Sequence, residues 1–319
     1  MRKLKTGVIG TGHLGRLHTK ILKTIYSCSL EGIYDIDAEK CTSTAEEFGV
    51  KPFSDLDLLL ASVDAVSIVT STSSHYSIAK TALEAGKHVF IEKPITSEIP
   101  QAEEIIKIAE ERKLKIQVGH IERFNSALIS LDNYKLDPKF IQVDRLAQFN
   151  PRGTDVAVVH DLMIHDIDII LSLVKSEVKD VKANGVAVVS DNIDIANARL
   201  EFENGTVAIV TASRISQKKM RKMRIFQKDA YISLDFSDGV SEVFRIADGS
   251  TEIAPGGISF GQIGVGDRKK NIVYEQPEMK EINALQYELK LFTEAVLNNT
   301  IPVVTGEDGL RALKVADII

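Results

Sequence analysis

The chain contains no tryptophan and only two cysteines, Cys28 and Cys41, among its 319 residues. The two cysteines have no metal-ligand spacing, which excludes a disulfide framework and a cysteine-based metal site and indicates free thiols of a cytoplasmic protein. No apolar run reaches the roughly 18 residues that a membrane-spanning helix needs, so we expect no membrane partner. The basic start, residues 1–5, is followed within a few positions by glycines, which is atypical of a secretory signal.

A surplus of positive charge is also missing, because the formal net charge is -6. A net negative chain is a poor match for broad binding to nucleic acid, and we expect no nucleic-acid partner. Hydrophobic residues make up 44% of the sequence, which is ordinary for a globular protein that buries a core. The length of the chain suits two domains.

A glycine-rich turn follows the first apolar strand, which spans residues 4–9. Gly10, Gly12 and Gly15 form the pattern G-x-G-x-x-G, a helical pattern comes next, and a second apolar run ends at Asp35. In such a unit the first glycine permits the tight turn, the second lets the backbone approach a pyrophosphate, and the third lets the helix pack against the strand. The pattern predicts a dinucleotide site with the phosphates at the helix start. A plain β-turn-α unit of another α/β protein is the alternative.

Asp35 bears on which dinucleotide binds. Its carboxylate can accept hydrogen bonds from the adenosine ribose hydroxyls and would repel the 2′-phosphate of NADP. The next two residues, Ile36 and Asp37, offer no arginine that could hold such a phosphate. The sequence therefore favours NAD over NADP as the cofactor.

The pattern of elements changes along the chain. Strands alternate with helices over residues 1–122, which predicts a Rossmann domain with a doubly wound parallel sheet. Later strand candidates, from residue 178 to residue 235, follow one another without helices between them. Residues 123–319 are therefore predicted to form an α+β domain on an open, mostly antiparallel sheet. Five glycines in residues 255–266 predict a mobile loop in this domain.

The tripeptide Glu-Lys-Pro at residues 92–94 follows an apolar strand at its carboxyl end. Ligands of open α/β sheets lie at that end, so Lys93 would point into the binding crevice. Pro94 restricts the backbone of Lys93 and is compatible with a cis peptide bond. A lysine beside a nicotinamide ring can stabilise the alkoxide that develops as hydride leaves the carbon. A solvated surface lysine before a turn proline is the alternative.

A very apolar helix is predicted over residues 158–174, with a polar stripe formed by Asp161, His165, Asp168 and Ser172. A polar stripe on a buried helix needs partners or lines a cleft. Asp161 lies four residues before His165 and can orient its imidazole, which would make His165 a general acid and base. Two alternatives stay open: a core histidine satisfied by an aspartate, and a metal site built from His160, Asp161 and His165.

Two further places hold candidate substrate contacts. Arg123 and Asn125 lie where the chain crosses from the first domain to the second, and interdomain packing is the equal alternative. Lys219 and Arg221 belong to a basic strand, residues 218–224, whose charges suit a substrate phosphate. A charged edge strand that discourages aggregation is the alternative for these residues.

Five segments together resemble the family of glucose–fructose oxidoreductase, inositol dehydrogenase and MocA. They are GVIGTGHLGRLH at residues 7–18, HYSIAKTALEAGKHVFIEKPI at 75–95, GHIERFN at 119–125, DLMIHDID at 161–168 and PVVTGEDGLRAL at 302–313. The segments are spread over nearly the whole chain, and Glu-Lys-Pro combined with Asp-x-x-x-His is specific. The chain departs from the family pattern in two loops: residues 70–74 lack the usual proline, and only Gly153 precedes the helix where paired glycines are common.

The resemblance implies a Rossmann domain, an α+β domain whose sheet forms a homodimer or homotetramer interface, and hydride transfer between NAD(P) and a secondary hydroxyl of a sugar or cyclitol. Lys93 would bind the substrate hydroxyl, His165 would be the acid/base and Asp161 its partner. His75 and Glu92 match positions near the nicotinamide ribose. The implied cofactor-binding residues are Gly10, Gly12, His13, Leu14, Gly15, Asp35, Thr70, Ser71, His75, Glu92 and Lys93.

Within the family, the basic strand resembles that of enzymes that oxidise nucleotide sugars such as UDP-N-acetylglucosamine at C3. A nucleotide sugar is therefore the expected substrate. The competing hypotheses are a dehydrogenase of a free sugar or cyclitol and a catalytically idle NAD-binding regulator. The presence of both Lys93 and His165 speaks against the regulator, because a sensor would not need the pair.

Substitution of Asp35 with alanine should weaken NAD binding and relax the discrimination against NADP, because the carboxylate that bonds the ribose and repels a 2′-phosphate is lost. Titrations with NADH and NADPH, followed by the fluorescence of the reduced nicotinamide, measure both affinities. An unchanged ratio of the two dissociation constants would refute the ribose contact.

Overall fold

A computed structural model describes residues 2–150, 156–247, 257–266 and 269–319. The chain divides into two compact units, of which the first comprises Met1–Ile121 and Asn283–Lys314 and the second comprises Glu122–Ile282 and Val315–Ile319. The sequence predicts a boundary near residue 122, but the return of residues 283–314 to the first unit is a finding of the structure. Within the described ranges, no helix is both long enough and apolar enough to cross a bilayer.

The first unit is built on a five-stranded sheet flanked by helices. Its strands and first helices are β1 (Leu4–Ile9), α1 (His13–Leu22), β2 (Cys28–Tyr34), α2 (Ala38–Phe48), α3 (Leu56–Ser62), β3 (Ala65–Ile68), α4 (Thr72–Glu84), β4 (His88–Glu92), α5 (Ile99–Arg112) and β5 (Ile116–Gly119). All strands are parallel, in the order β2-β1-β3-β4-β5. The predicted doubly wound parallel sheet is confirmed.

The core of the first unit explains why residues 283–314 belong to it. Two more helices, α8 (Ala284–Leu297) and α9 (Gly306–Ile318), follow near the end of the chain. Leu289 and Phe292 of α8 pack in one buried cluster with Val8 of β1 and Phe90 of β4. The apolar stripe of α8 thus covers the sheet, as the burial of an amphipathic helix requires. Both cysteines are buried and free, as the sequence predicts.

The second unit contains a nine-stranded sheet. Its elements are α6 (Ser126–Ile129), β6 (Phe140–Leu146), α7 (Ile164–Val174), β7 (Val178–Val186), β8 (Ile195–Phe202), β9 (Val207–Ser213), β10 (Met220–Phe226), β11 (Ala230–Asp235), β12 (Val240–Ala247), β13 (Ile258–Ile263) and β14 (Lys270–Glu275). The strand order is β13-β14-β12-β11-β10-β6-β9-β8-β7, and only β6 and β9 pair in parallel. The predicted mostly antiparallel sheet is confirmed.

The described part of the glycine-rich segment is not the loop that the sequence predicts. Ile258–Ile263 forms β13, which pairs with β14 in antiparallel register with an irregularity between Ser259 and Gln262. Gly261 lies inside this strand with a φ of 103°, a conformation that glycine adopts without strain. Residues 255 and 256 of the predicted loop lie outside the described part of the chain.

Candidate active site

A cavity of about 670 Å³ lies at the carboxyl edge of the parallel sheet in the first unit. Because β1 to β4 run parallel, the residues that follow them meet at this one edge. Seven of the residues predicted to bind the cofactor line the cavity: Gly10, Gly12, His13, Leu14, Asp35, Thr70 and Ser71. Ile36, which is 93% exposed, adds an apolar surface beside Asp35.

The three glycines of the turn meet different surroundings. Gly10 has a φ of 100°, and a Cβ on Gly15 would lie 1.9 Å from the carbonyl oxygen of Gly10. These two glycines therefore let α1 approach the end of β1. A Cβ on Gly12 would meet no protein atom within 4 Å, and no side chain caps α1 at this residue. The free backbone N–H groups at the start of α1 thus fit a pyrophosphate.

Asp35 is held in a defined orientation. One carboxylate oxygen accepts hydrogen bonds from the backbone N–H of Thr11 at 2.6 Å and from its hydroxyl at 2.8 Å. The other oxygen accepts the N–H of Asp37 at 2.9 Å. The oxygen that bonds Asp37 keeps a lone pair for a ribose hydroxyl, whereas both lone pairs of the other oxygen are used by Thr11. Thr11 was not predicted as a site residue, although its place between Gly10 and Gly12 is a signal.

A cation also lines the cavity. Lys40 extends from the first turn of α2, and its ammonium group lies 2.8 Å from a carboxylate oxygen of Asp37. Lys40 was not predicted as a site residue, because it lies beyond the two residues that follow Asp35. Because Asp37 neutralises it and Asp35 adds a further negative charge, the local balance stays unfavourable for a 2′-phosphate.

The remaining predicted cofactor residues follow β4 or lie on α4. Glu92 and Lys93 are half-buried, and the Lys93–Pro94 peptide bond is cis. His75 is buried, with Nδ1 2.9 Å from the carbonyl oxygen of Pro94 and Nε2 3.2 Å from that of Thr70. Burial lowers the pKa of His75 below its ordinary value, so the neutral ring donates through one nitrogen only, and we assign that proton to the shorter contact. His75 therefore braces the loop of Pro94 at the cavity edge, and its direct contact with the cofactor stays a prediction.

The helix that carries His165 does not begin as an α-helix. Val159–Met163 forms a π-helical turn, in which the N–H of Ile164 bonds to the carbonyl of Val159, and α7 begins only after it. The prediction of one regular α-helix over residues 158–174 is wrong at this end. Asp161 lies in the wide turn and His165 in the first turn of α7, and both are half-buried. Such turns occur frequently at functional sites.

A buried arginine holds α7 next to His165. Arg145 extends from β6 and bonds to both oxygens of Asp166, at 2.6 and 2.8 Å, and to Glu122 at 2.9 Å. Burial raises the pKa of Asp166, and the guanidinium opposes this shift. Burial also disfavours the charge on Arg145, but the two carboxylates outweigh it and raise the pKa of the guanidinium above its ordinary value. The charges therefore stabilise one another and fix the rotation of α7.

A second arginine binds the same helix. Arg123 makes two hydrogen bonds of 2.6 Å to the fully buried carboxylate of Asp168. Asn125 accepts the N–H of Ala127 as the N-cap of α6 and donates to the carbonyl of Phe236. Both side chains are thus engaged inside the second unit, and their contact with substrate stays a prediction. Asp168, which the sequence places on the polar stripe, is therefore buried against Arg123 and does not line a cleft.

The basic strand lies in the interior of the sheet. β10 pairs with β6 on one side and β11 on the other, so the alternative of a charged edge strand is wrong. Arg221 faces Glu122 at 3.4 Å, and Lys219 is exposed just before the strand. On the opposite face, Lys222 pairs with Asp235 across the strands at 3.2 Å. Opposite charges on neighbouring strands thus accommodate the basic residues.

The metal-site alternative finds no support in the described ranges. His160 Nε2 lies 2.8 Å from a carboxylate oxygen of Asp317 near the end of the chain. Among the described residues, no three His, Cys, Asp or Glu side chains are arranged to hold a metal ion. The loop with Gly153 lies outside the described residues.

Comparison with known proteins adds independent findings. Residues 4–120 match the model of an oxidoreductase family with an NAD-binding Rossmann fold, and residues 116–233 match that of the GFO/IDH/MocA C-terminal domain. The UDP-N-acetylglucosamine 3-dehydrogenase of Acidithiobacillus ferrooxidans is 38% identical over 317 residues, which cover 99% of this chain and 96% of the relative.

A solved structure and a more distant relative extend this comparison. A solved structure of UDP-N-acetylglucosamine 3-dehydrogenase from Acidithiobacillus ferrooxidans has a TM-score of 0.89 at 37% identity and covers 100% of this chain and 97% of its own. The myo-inositol 2-dehydrogenase of Thermotoga maritima is 26% identical, and the match covers 97% of this chain and 93% of the relative.

Alanine at Gly12 and alanine at Gly15 should have different effects. Gly12→Ala should leave the melting temperature unchanged and abolish NADH binding, because the new methyl group occupies only the space for the pyrophosphate. Gly15→Ala should lower the melting temperature, because its Cβ collides with the Gly10 carbonyl. Thermal unfolding and NADH fluorescence measure both variants, and equal unfolding shifts would contradict this division.

Replacement of Arg145 with methionine should lower the free energy of unfolding by about 3–5 kcal/mol, because Asp166 and Glu122 lose their buried partner. Arg199→Met on β8 is the matched control, since its pair with Glu201 is half-exposed. The control should change stability by less than about 1 kcal/mol. Urea unfolding measures the free energy of unfolding of both variants. Similar losses of stability in the two would show that the burial of Arg145 has no special role.

Proposed function

Because the chain belongs to the Gfo/Idh/MocA family of NAD-binding oxidoreductases, we propose that it oxidises the C3 hydroxyl of UDP-N-acetylglucosamine, with NAD as the hydride acceptor. The chain is an NAD-dependent dehydrogenase that acts on CH–OH groups. The observation that carries the choice of substrate is the 38% identity to a UDP-N-acetylglucosamine 3-dehydrogenase over 99% of this chain.

The chemistry is assigned to three side chains. His165 accepts the proton of the C3 hydroxyl as general base, and Asp161 orients the imidazole and stabilises its charged form. Lys93 donates to the same oxygen and stabilises the negative charge that develops on it. Bound NAD supplies the nicotinamide C4 that takes the hydride. The products are a 3-keto sugar nucleotide, NADH and the proton held by His165.

The rest of the substrate needs groups that recognise a diphosphate. Arg221 is half-exposed and Lys219 is exposed, and their charges suit the diphosphate of a UDP sugar. The guanidinium of Arg123 already holds Asp168, so its contribution to binding would come through the position of α7. Asn125 stays a candidate contact to the sugar.

An inositol or free-sugar dehydrogenase is the second candidate function. The observation in its favour is the 26% identity to the myo-inositol 2-dehydrogenase of Thermotoga maritima, which covers 97% of this chain. The exposed basic residues before and within β10 favour the nucleotide sugar, because a neutral polyol does not need them. A regulator without catalysis would not need both Lys93 and His165.

Turnover on a panel of substrates tests the proposal. The protein should produce NADH fluorescence with NAD and UDP-N-acetylglucosamine, and none with myo-inositol or glucose. Lys93→Ala and His165→Ala should each abolish turnover and leave NADH affinity largely intact, because neither residue lines the main cofactor cavity. Lys107→Ala, an exposed change on α5, is the control.

Three results would contradict the proposal in different ways. Oxidation of inositol alone would establish the second candidate function. Tight NADH binding without turnover of any panel member would favour the regulator. Near-normal turnover of either the Lys93 or the His165 variant would show that the assigned role of that residue is wrong.

We also propose that the chain forms a homodimer or homotetramer through the aromatic face of the nine-stranded sheet. A row of rings crosses five strands with neighbouring centroids 5.0–5.8 Å apart. Its members are Phe140, Phe226, Tyr231, Phe244 and Tyr274. Each ring is only partly buried in the single chain, and such a contiguous apolar surface is typical of an interface.

Light scattering after size-exclusion chromatography tests the assembly. The wild-type protein should have two or four times the mass of one chain, and Phe244→Asp should shift it toward the single-chain mass because a charge then lies in the aromatic row. A wild-type mass of one chain would contradict the proposed assembly.

A further inference from the structure

A chain of three polar side chains runs through the apolar interior of the first unit. His18 on α1 is fully buried, and its Nδ1 lies 2.8 Å from the hydroxyl of Ser67 on β3. Its Nε2 lies 3.2 Å from a carboxylate oxygen of Glu92 at the end of β4. The edge of the imidazole ring also contacts the ring of Phe90, with centroids 5.5 Å apart. A histidine in such a place needs a reason, because burial of unsatisfied polar groups is costly.

The partners determine which nitrogen of His18 carries the proton. An ionised carboxylate only accepts hydrogen bonds, so a bond to Glu92 requires the proton on Nε2. Nδ1 of the neutral ring is then an acceptor, and the Ser67 hydroxyl donates to it. Glu92 therefore favours the tautomer with the proton on Nε2, and the hydroxyl of Ser67 satisfies Nδ1 in that tautomer.

The contact between His18 and Glu92 is close but not well aligned. Nε2 has no partner with hydrogen-bond geometry among the described residues, although Glu92 lies within reach. In enzymes without ligand such bonds are often poorly aligned and tighten in the complex.

Glu92 links His18 to Lys93. Its second carboxylate oxygen accepts the backbone N–H of Lys93 at 3.3 Å. On the other side, a Cβ on Gly119 would lie 2.8 Å from the Glu92 carboxyl carbon, so the absent side chain of Gly119 leaves the room that the carboxylate fills. The carboxylate is thus confined between α1, β5 and the backbone of Lys93.

We propose that His18 is a positioning residue. Held at Nδ1 by the hydroxyl of Ser67, it orients Glu92, and Glu92 in turn holds the backbone of Lys93 for catalysis. The inference rests on the proposed function, because it takes Lys93 as the group that contacts the substrate oxygen. It adds two residues, His18 and Ser67, to the machinery of turnover.

Three variants test the role of His18 in turnover. His18→Leu removes the donor at similar size and should lower kcat by about tenfold to hundredfold, because a small misplacement of a catalytic group has effects of this order. His18→Gln keeps an N–H donor near the place of Nε2 and should recover most of kcat. Ser67→Ala should have an intermediate effect on kcat. Ser62→Ala is the control and should leave kcat unchanged, because the hydroxyl of Ser62 bonds to the carbonyl of Leu59 within α3.

Measurements of binding and unfolding separate positioning from folding. NADH dissociation constants, from fluorescence titration, should stay within about threefold of the wild type, because the residues that line the main cavity are unchanged. A kcat of His18→Leu equal to the wild type would overturn the proposal. Equal losses of kcat in the glutamine and leucine variants would show that His18 acts only through packing, and this result would also overturn the proposal.

The histidine tautomer is tested without turnover. Nitrogen-15 NMR spectra of the protein should show His18 protonated at Nε2 and unprotonated at Nδ1, with the signal assigned by its loss in His18→Gln. Ser67→Ala should shift this signal toward a mixture of tautomers. Protonation at Nδ1 in the wild type would overturn the inference whatever the substrate is, whereas absence of turnover on every panel sugar with the expected tautomer would count against the proposed function alone.

Discussion

Buried charge in the second unit must be matched by buried charge, and this constraint determines how the helix with His165 is held. Arg145 is 3% exposed and Asp166 1% exposed, so neither can rely on water. The loss of one partner would leave the other charged and unsolvated, which is among the costliest changes in a protein interior. Since Asp166 follows His165 directly and Asp168 is clamped by Arg123, the two ion pairs leave α7 little freedom to rotate.

In the first unit, hydrogen bonds from neighbouring residues likewise hold the carboxylates at the cavity edge. Its parallel strands bring the glycine turn, Asp35 and Lys93 to one edge, and hydrogen bonds inside the protein then orient the carboxylates. Thr11 orients Asp35, which we assign to the ribose, while His18 and the backbone of Lys93 confine Glu92. In both units, groups that we assign to ligand binding or catalysis are thus held by neighbours that need not contact the ligand, which is the usual basis of preorganisation.

The sequence predicts local backbone requirements well and distant pairings poorly. The spacing of Gly10, Gly12 and Gly15 before Asp35 is sufficient to predict the cavity, because Gly10 and Gly15 answer steric limits set by near neighbours and Gly12 leaves open space in front of the helix. The sequence carries no comparable signal for the π-helical turn Val159–Met163. It also fails to predict β13, because that segment contains glycine, which usually marks a loop. The pair of Arg145 and Asp166 joins residues 21 positions apart, although the alternation of Ile141 and Val143 with Arg145 already places that arginine on a buried face.

Our central proposal is that Lys93 and His165 act on the same hydroxyl group of the substrate. A crystal structure of the protein with NAD and UDP-N-acetylglucosamine tests it most directly. The account predicts that the ammonium nitrogen of Lys93 and one ring nitrogen of His165 each lie within about 3.2 Å of the C3 hydroxyl oxygen. A complex in which either side chain lies beyond hydrogen-bond reach of that oxygen, with the sugar beside the nicotinamide ring, would contradict it.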